Sequence, residues 1–254
     1  MHGLFGSKQN WRSIAKQLSN KIGASVVAVD LRNHGDSPHA VLHDYPSMAD
    51  DVFSLCDKIG IDKFHVMGHS MGGKTAMHMA LSNPSRIESL ISVDMSPIVL
   101  NLTSIFAHYI TAMREIQNAR VKTQTEADAI LIKTIPELPI RQFILTNLKH
   151  VPGQDYLSFR INLDALEASL GPQKDICGIA GFPLSDAGKT YEGPSLFVKG
   201  NKSGYVPDSA IPGIKRLFPK TEIVGLDAGH WVHSEKPNDF IKVVEAFIKA
   251  NTSK

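Results

Sequence analysis

Gly68-His69-Ser70-Met71-Gly72 sets a serine between two glycines, in a G-x-S-x-G pattern. A serine hydroxyl is a weak nucleophile until a neighbouring base takes its proton. Histidine suits that task, because its unperturbed pKa of ~6.5 lies near neutrality. The late stretch Asp227-Ala228-Gly229-His230-Trp231-Val232-His233 offers two. His230 follows a flexible Ala-Gly pair and is favoured as the base; His233 is assigned to packing or solvent. His69 is expected to point away from Ser70, and His34 and His78 to be structural or solvated. A carboxylate must orient the imidazole. Asp94, in Val93-Asp94-Met95-Ser96-Pro97, is favoured, with Asp208 as the alternative. Asp208 follows Pro207 and reads as a helix-start residue. Asp30 is assigned to Arg32 or to its own turn, and Asp227 to ordering its loop. An oxyanion needs two backbone donors. Met71 supplies one N–H. Leu4, in His2-Gly3-Leu4, supplies the second, with Phe5 as the alternative.

These residues have value only if the chain positions them. The apolar run 64–67 reads as a short buried strand, and residues 73–81 as a helix stopped by Asn83-Pro84. A strand, a sharp turn and a helix are the context in which G-x-S-x-G lifts a serine over a helix N-terminus. A glycine-rich turn without chemistry is the competing reading. Residues 10–20 and 48–59 have helical spacing, and Val-rich residues 25–29 read as a buried parallel strand. Residues 87–93 form the next strand. Strand signals then vanish from 98 to 191. Helical patterns take over at 104–117, 126–133, 138–148 and 163–170, broken by Pro and Gly. The strand–helix alternation resumes at 195–198, 210–217, 222–226 and 238–250. The expected fold is α/β: a mostly parallel sheet flanked by helices, with 1–97 and 192–254 as the core and 98–191 as an inserted helical cap. Ser70, Asp94 and the His230 loop each follow a strand, so they share the carboxyl edge of the sheet, where such folds bind ligands.

The chain has 254 residues, 43% of them hydrophobic, enough for one large domain. The 27 basic and 25 acidic residues leave a net charge of +2 with no basic cluster, so nucleic acid is not an expected partner. No apolar run approaches the ~18 residues of a membrane span, and no leader peptide is recognised. Cys56 is placed on the core side of its helix, and with Cys177 it gives no disulfide framework. No metal-ligand spacing appears, and no cofactor is expected.

Five stretches then point to a family: residues 2–7, Asp30-Leu31-Arg32-Asn33-His34-Gly35-Asp36-Ser37, residues 68–73, residues 93–97 and Ala228-Gly229-His230-Trp231. Together they resemble the α/β-hydrolase superfamily. More closely, the chain is similar to esterases related to α/β-hydrolase domain-containing protein 11, a group that includes yeast ethanol acetyltransferase. Cap stretches Leu145-Thr146-Asn147-Leu148 and residues 160–166 share the likeness. The resemblance implies an acid at Asp94, a small-molecule ester or thioester substrate, and a mitochondrial location for eukaryotic members. The expected activity is a serine hydrolase: Ser70 attacks, His230 shuttles the proton, Asp94 orients it, and Leu4 and Met71 hold the oxyanion. Phe5, Phe106 and Tyr109 are the expected substrate-binding residues. Phe106, Tyr109, Met113 and Phe143 read either as an apolar lining of the cap or as its own core. An alcohol O-acyltransferase with the same triad is the second reading, and a catalytically impaired binding protein the third. The third arises because the family has strands before His2-Gly3, one of them in mid-sheet. Their absence here predicts that 26–29 and 64–67 leave unpaired backbone, at ~1–3 kcal/mol per group, or close up in a new register. Low solubility or weak activity of residues 1–254 alone is the corresponding expectation.

Overall fold

The computed structural model describes residues 1–99, 103–171 and 178–252. Cys177 and the Pro172 break lie outside these residues. A four-stranded parallel sheet forms the centre, in the order β1-β2-β5-β6. Its strands are β1 (Phe64–His69), β2 (Ile87–Val93), β5 (Ser195–Gly200) and β6 (Thr221–Leu226). β2 and β5 are buried almost throughout because helices cover both faces. Leu90 and Phe197 join one apolar cluster with α2 (Tyr45–Lys58), α3 (Met71–Ser82) and α8 (Ile211–Leu217). Ile91, Val93, Leu196 and Val198 join another with α1 (Arg12–Ile22) and α10 (Pro237–Ala250). The alternation along β5 thus feeds both faces.

Residues 25–29 correct one expectation. They form no strand and pair with none among the described residues. Val26 and Ala28 pack inward on the α1–α10 cluster, while Val27 is 52% exposed. An apolar run becomes a sheet strand only when another backbone completes its ladder. Beside β1, that backbone is Met1: its amino group donates to the Met67 carbonyl at 2.7 Å, and its carbonyl accepts from the His69 N–H at 3.1 Å.

Between β2 and β5 lie α4 (Thr103–Ala119), α5 (Gln124–Leu131), α6 (Leu138–Leu145) and α7 (Leu163–Ala168). The expected absence of strands in this region is also corrected. β3 (Leu148–His150) and β4 (Leu157–Phe159) make a short antiparallel hairpin, so α6 ends three residues early. Each strand has three residues, too few for a period of two to register in the sequence. Lys74, buried on α3, donates to the carbonyls of Ile98, Ala180 and Gly181, and so ties both ends of this inserted segment to the helix after Ser70.

Candidate active site

β1 runs directly into α3 through Ser70, whose φ of 52° and ψ of −118° are strained for a residue with a side chain. The turn closes only because its flanks lack side chains. A Cβ on Gly68 would lie 1.9 Å from the Gly72 carbonyl oxygen, and one on Gly72 would lie 2.6 Å from that of His2. The Ser70 N–H is held by the Val93 carbonyl at 3.1 Å, which locks the turn to the end of β2.

Asp94 follows β2, also at positive φ (47°), and is fully buried. Its carboxylate accepts three hydrogen bonds. His230 Nδ1–H donates to Oδ2 at 2.7 Å, Ser203 Oγ–H donates to the same oxygen, and the Gly200 N–H donates to Oδ1 at 2.9 Å. A carboxylate can only accept, so it fixes the proton of a neutral His230 on Nδ1 and leaves Nε2 as a base. The His230 carbonyl accepts from His69 Nε2–H at 2.8 Å, and its ring stacks on Tyr205, centroids 3.7 Å apart. Glu235, on α9 (Val232–Glu235), accepts from the N–H groups of Gly229 and Trp231 on either side of it.

A cavity of about 640 Å³ joins these groups. Ser70, His230 and Leu4 line it, as do the expected substrate residues Phe5, Phe106 and Tyr109. Phe143 lines it too, whereas Met113 is fully buried in the core. Ile105, Ile140 and Trp231 make the wall largely apolar. Ser70 Oγ has no protein hydrogen bond among the described residues; such bonds commonly tighten only when substrate arrives. Met71 opens α3 with its N–H unused by the helix. The Leu4 N–H has no protein acceptor among the described residues. Phe5, the alternative donor, spends its N–H on His34 Nε2 at 3.2 Å.

The remaining candidates fall largely within their expected roles, and only His69 departs from its own. Asp30 holds Lys8 and the Asp36 N–H, while Arg32 pairs with Asp51. His34 and His78 are both buried, and His78 Nδ1 meets Asp186 at 2.6 Å. His69 does more than pack, since it faces the cavity and holds the His230 backbone. Burial, then the neighbouring His230 and His233, push its pKa well below the ordinary value. Burial likewise lowers His2 to about 3, His34 to about 4 and His233 to about 4. Tyr205 is raised to about 12 by burial and then by Asp94. His233 packs, stacked on Trp11. Asp208 opens a short 3-10 helix and bonds Lys199, and Asp227 pairs with Lys202, so neither approaches His230.

A reading of loop 199–208 that looks only for a carboxylate passes over Ser203 and Tyr205. The usable signal was its donors: a loop with Gly200 and Ser203 but no carboxylate before Asp208 complements an acid arriving from the next strand. Strain marks the same place. Of the five non-glycine residues at positive φ among the described residues, Phe5, Ser70 and Asp94 belong to the site and Asn33 sits beside it. Such strain persists only where the surroundings over-determine it.

The sequence profile of the alpha/beta hydrolase fold matches residues 1–237. The chain is 42% identical to the sn-1-specific diacylglycerol lipase ABHD11 of Danio rerio, over 98% of this chain and 77% of that protein. It is 37% identical to a probable alcohol acetyltransferase of Saccharomyces cerevisiae, over 98% and 76%. A solved marine microorganism esterase superposes with a TM-score of 0.88 at 33% identity, covering 97% of this chain and 93% of that one.

Proposed function

The chain belongs to the α/β-hydrolase family, and on that premise we propose that it is a serine esterase for carboxylic esters or thioesters, acting through Ser70, His230 and Asp94. Ser70 Oγ attacks the acyl carbon while His230 Nε2 takes the hydroxyl proton. The carbonyl oxygen becomes anionic between the N–H groups of Leu4 and Met71. Collapse breaks the bond to the leaving alkoxide or thiolate, which receives the proton from His230. Water then attacks the acyl-enzyme, giving its proton to His230 Nε2, and the acid leaves as Ser70 regains that proton. Asp94 keeps the imidazole in its base tautomer and stabilises the imidazolium. The observation that carries this reading is the 2.7 Å contact of His230 Nδ1 with a fully buried carboxylate, beside a serine on a strained turn in the same cavity. The apolar wall suits the acyl chain.

The test is Ser70→Ala with a short-chain p-nitrophenyl ester. Turnover should fall at least ~10³-fold with the melt unchanged, and fluorophosphonate labelling should vanish. A folded variant with parental turnover refutes the assignment. The acetyltransferase among the relatives favours a second use of the same acyl-enzyme, in which an alcohol replaces water. Ester formation on adding ethanol, at the expense of free acid, measures it.

A further inference from the structure

The two cap stretches that share the family likeness, Leu145-Thr146-Asn147-Leu148 and residues 160–166, take no part in the chemistry above. Each sends one asparagine to the loops around Leu4. Asn147, buried just past α6, donates from Nδ2 to the Phe5 carbonyl at 2.8 Å, and its own carbonyl accepts from the Arg160 N–H at 2.9 Å. Asn162, which caps α7, donates its backbone N–H to the Asn33 carbonyl at 3.0 Å and its Nδ2 to Asn33 Oδ1 at 3.1 Å. Asn33 adjoins His34, whose Nε2 accepts the Phe5 N–H. The backbone N–H and carbonyl of Phe5 are therefore both held by side chains, one from the core and one from the cap.

Phe5 needs such a hold. Its φ of 60° is uncommon for an aromatic residue and persists only under constraint. Leu4 precedes it, and Gly3 approaches Ser70 so closely that a Cβ there would lie 3.1 Å from the serine Cβ. A rotation at Phe5 would thus move the Leu4 N–H relative to Ser70. We propose that Asn147 and Asn162 are positioning residues of the oxyanion hole, by which the inserted segment fixes the conformation of the loop carrying Leu4. The proposal rests on the reading of Ser70 as nucleophile and Leu4 as oxyanion donor. It makes the insertion part of the catalytic apparatus as well as a wall of the cavity.

The experiment uses the full chain and three variants. Asn147→Asp and Asn147→Leu keep the size and remove the Nδ2 donor. Asn162→Asp keeps an acceptor for the α7 cap and removes the donor to Asn33. Turnover is measured per site titrated with a fluorophosphonate, beside inhibition by a trifluoromethyl ketone, which forms a tetrahedral alkoxide on the serine. A misplaced donor acts in the transition state, so kcat should fall about 10- to 100-fold in both Asn147 variants while KM stays within about threefold. Affinity for the ketone should weaken by the same factor as kcat, and Asn162→Asp should lose less in the same direction. A merely structural asparagine would lower the melting temperature and leave the ketone-to-KM ratio unmoved, and that result overturns the proposal. So does unchanged kcat in chains that label at Ser70. A parental chain that fails to label at Ser70 overturns both the proposal and the reading beneath it.

Discussion

Replacing Asp94 by asparagine turns one of two carboxylate oxygens into an NH2 group, in a site where both oxygens have fixed partners. The native carboxylate meets three donors: His230 Nδ1–H, Ser203 Oγ–H and the Gly200 N–H. An asparagine has one acceptor oxygen and one NH2 group. With the NH2 toward Gly200, a donor faces a backbone donor that cannot turn, at about 1–3 kcal/mol for the buried clash. With the oxygen toward Gly200, the NH2 faces His230 Nδ1. The Ser203 hydroxyl can rotate to accept, and the imidazole can adapt by moving its proton to Nε2. The second arrangement is the cheaper, so the variant folds with the imidazole in the tautomer that cannot act as a base. The buried negative charge that stabilised the imidazolium is gone as well. The expected loss in kcat is ~10⁴-fold, which corresponds to about 5.4 kcal/mol of barrier. Asp208→Asn is the control: its side chain is 87% exposed and pairs with Lys199, a contact worth ~0–1 kcal/mol, so turnover should stay within about twofold. Both variants are assayed with a p-nitrophenyl ester per titrated site. An Asp94→Asn chain within tenfold of the parent, or a greater loss in Asp208→Asn, refutes the reasoning.

Two further outcomes follow from the turn and from the buried histidines. Gly68→Ala should fail to give a soluble chain or lose more than about 3 kcal/mol, because its methyl would lie 1.9 Å from the Gly72 oxygen; urea titration measures it, and a parental midpoint contradicts it. His2, His34 and His233 stay neutral in the fold down to about 3, 4 and 4, whereas the unfolded chain protonates them below ~6.5. The unfolded state then binds more protons, so stability is lost as pH falls from about 6.5 toward 4, by up to ~1.4 kcal/mol per pH unit for each histidine. Thermal midpoints taken between pH 7.5 and 5 should decline steeply below about 6.5, and a flat profile would show that these side chains are solvated.

What the sequence made legible was local or periodic. Ser70 stands out through glycines within two residues of it, and the close approaches at Gly68 and Gly72 give their physical reason. His230 was legible because an Ala-Gly pair follows a strand, and its rival His233 sits where a short helix must pack. Residues 25–29 read as a strand from sequence because hydrophobicity reports burial, while a strand also needs a partner, and pairing is a long-range property that composition does not carry. The same gap hid the hairpin at β3 and β4.

The acid shows how far a local argument can reach. Loop 199–208 has no carboxylate before Asp208, so the acid must come from elsewhere, and Asp94 ends the neighbouring strand. β2 and β5 pair in register, and the Asp94 N–H donates to the Val198 carbonyl at 2.8 Å, so residues ending either strand can address one imidazole. A carboxylate buried there needs donors, because an ion without them is several kcal/mol too costly to keep charged. That requirement predicts polar hydrogens on the opposite loop, and Gly200 and Ser203 supply them. Moving the acid from one strand to its neighbour therefore exchanges the chemistry of the two loops: the one that loses the carboxylate must gain the donors that hold it.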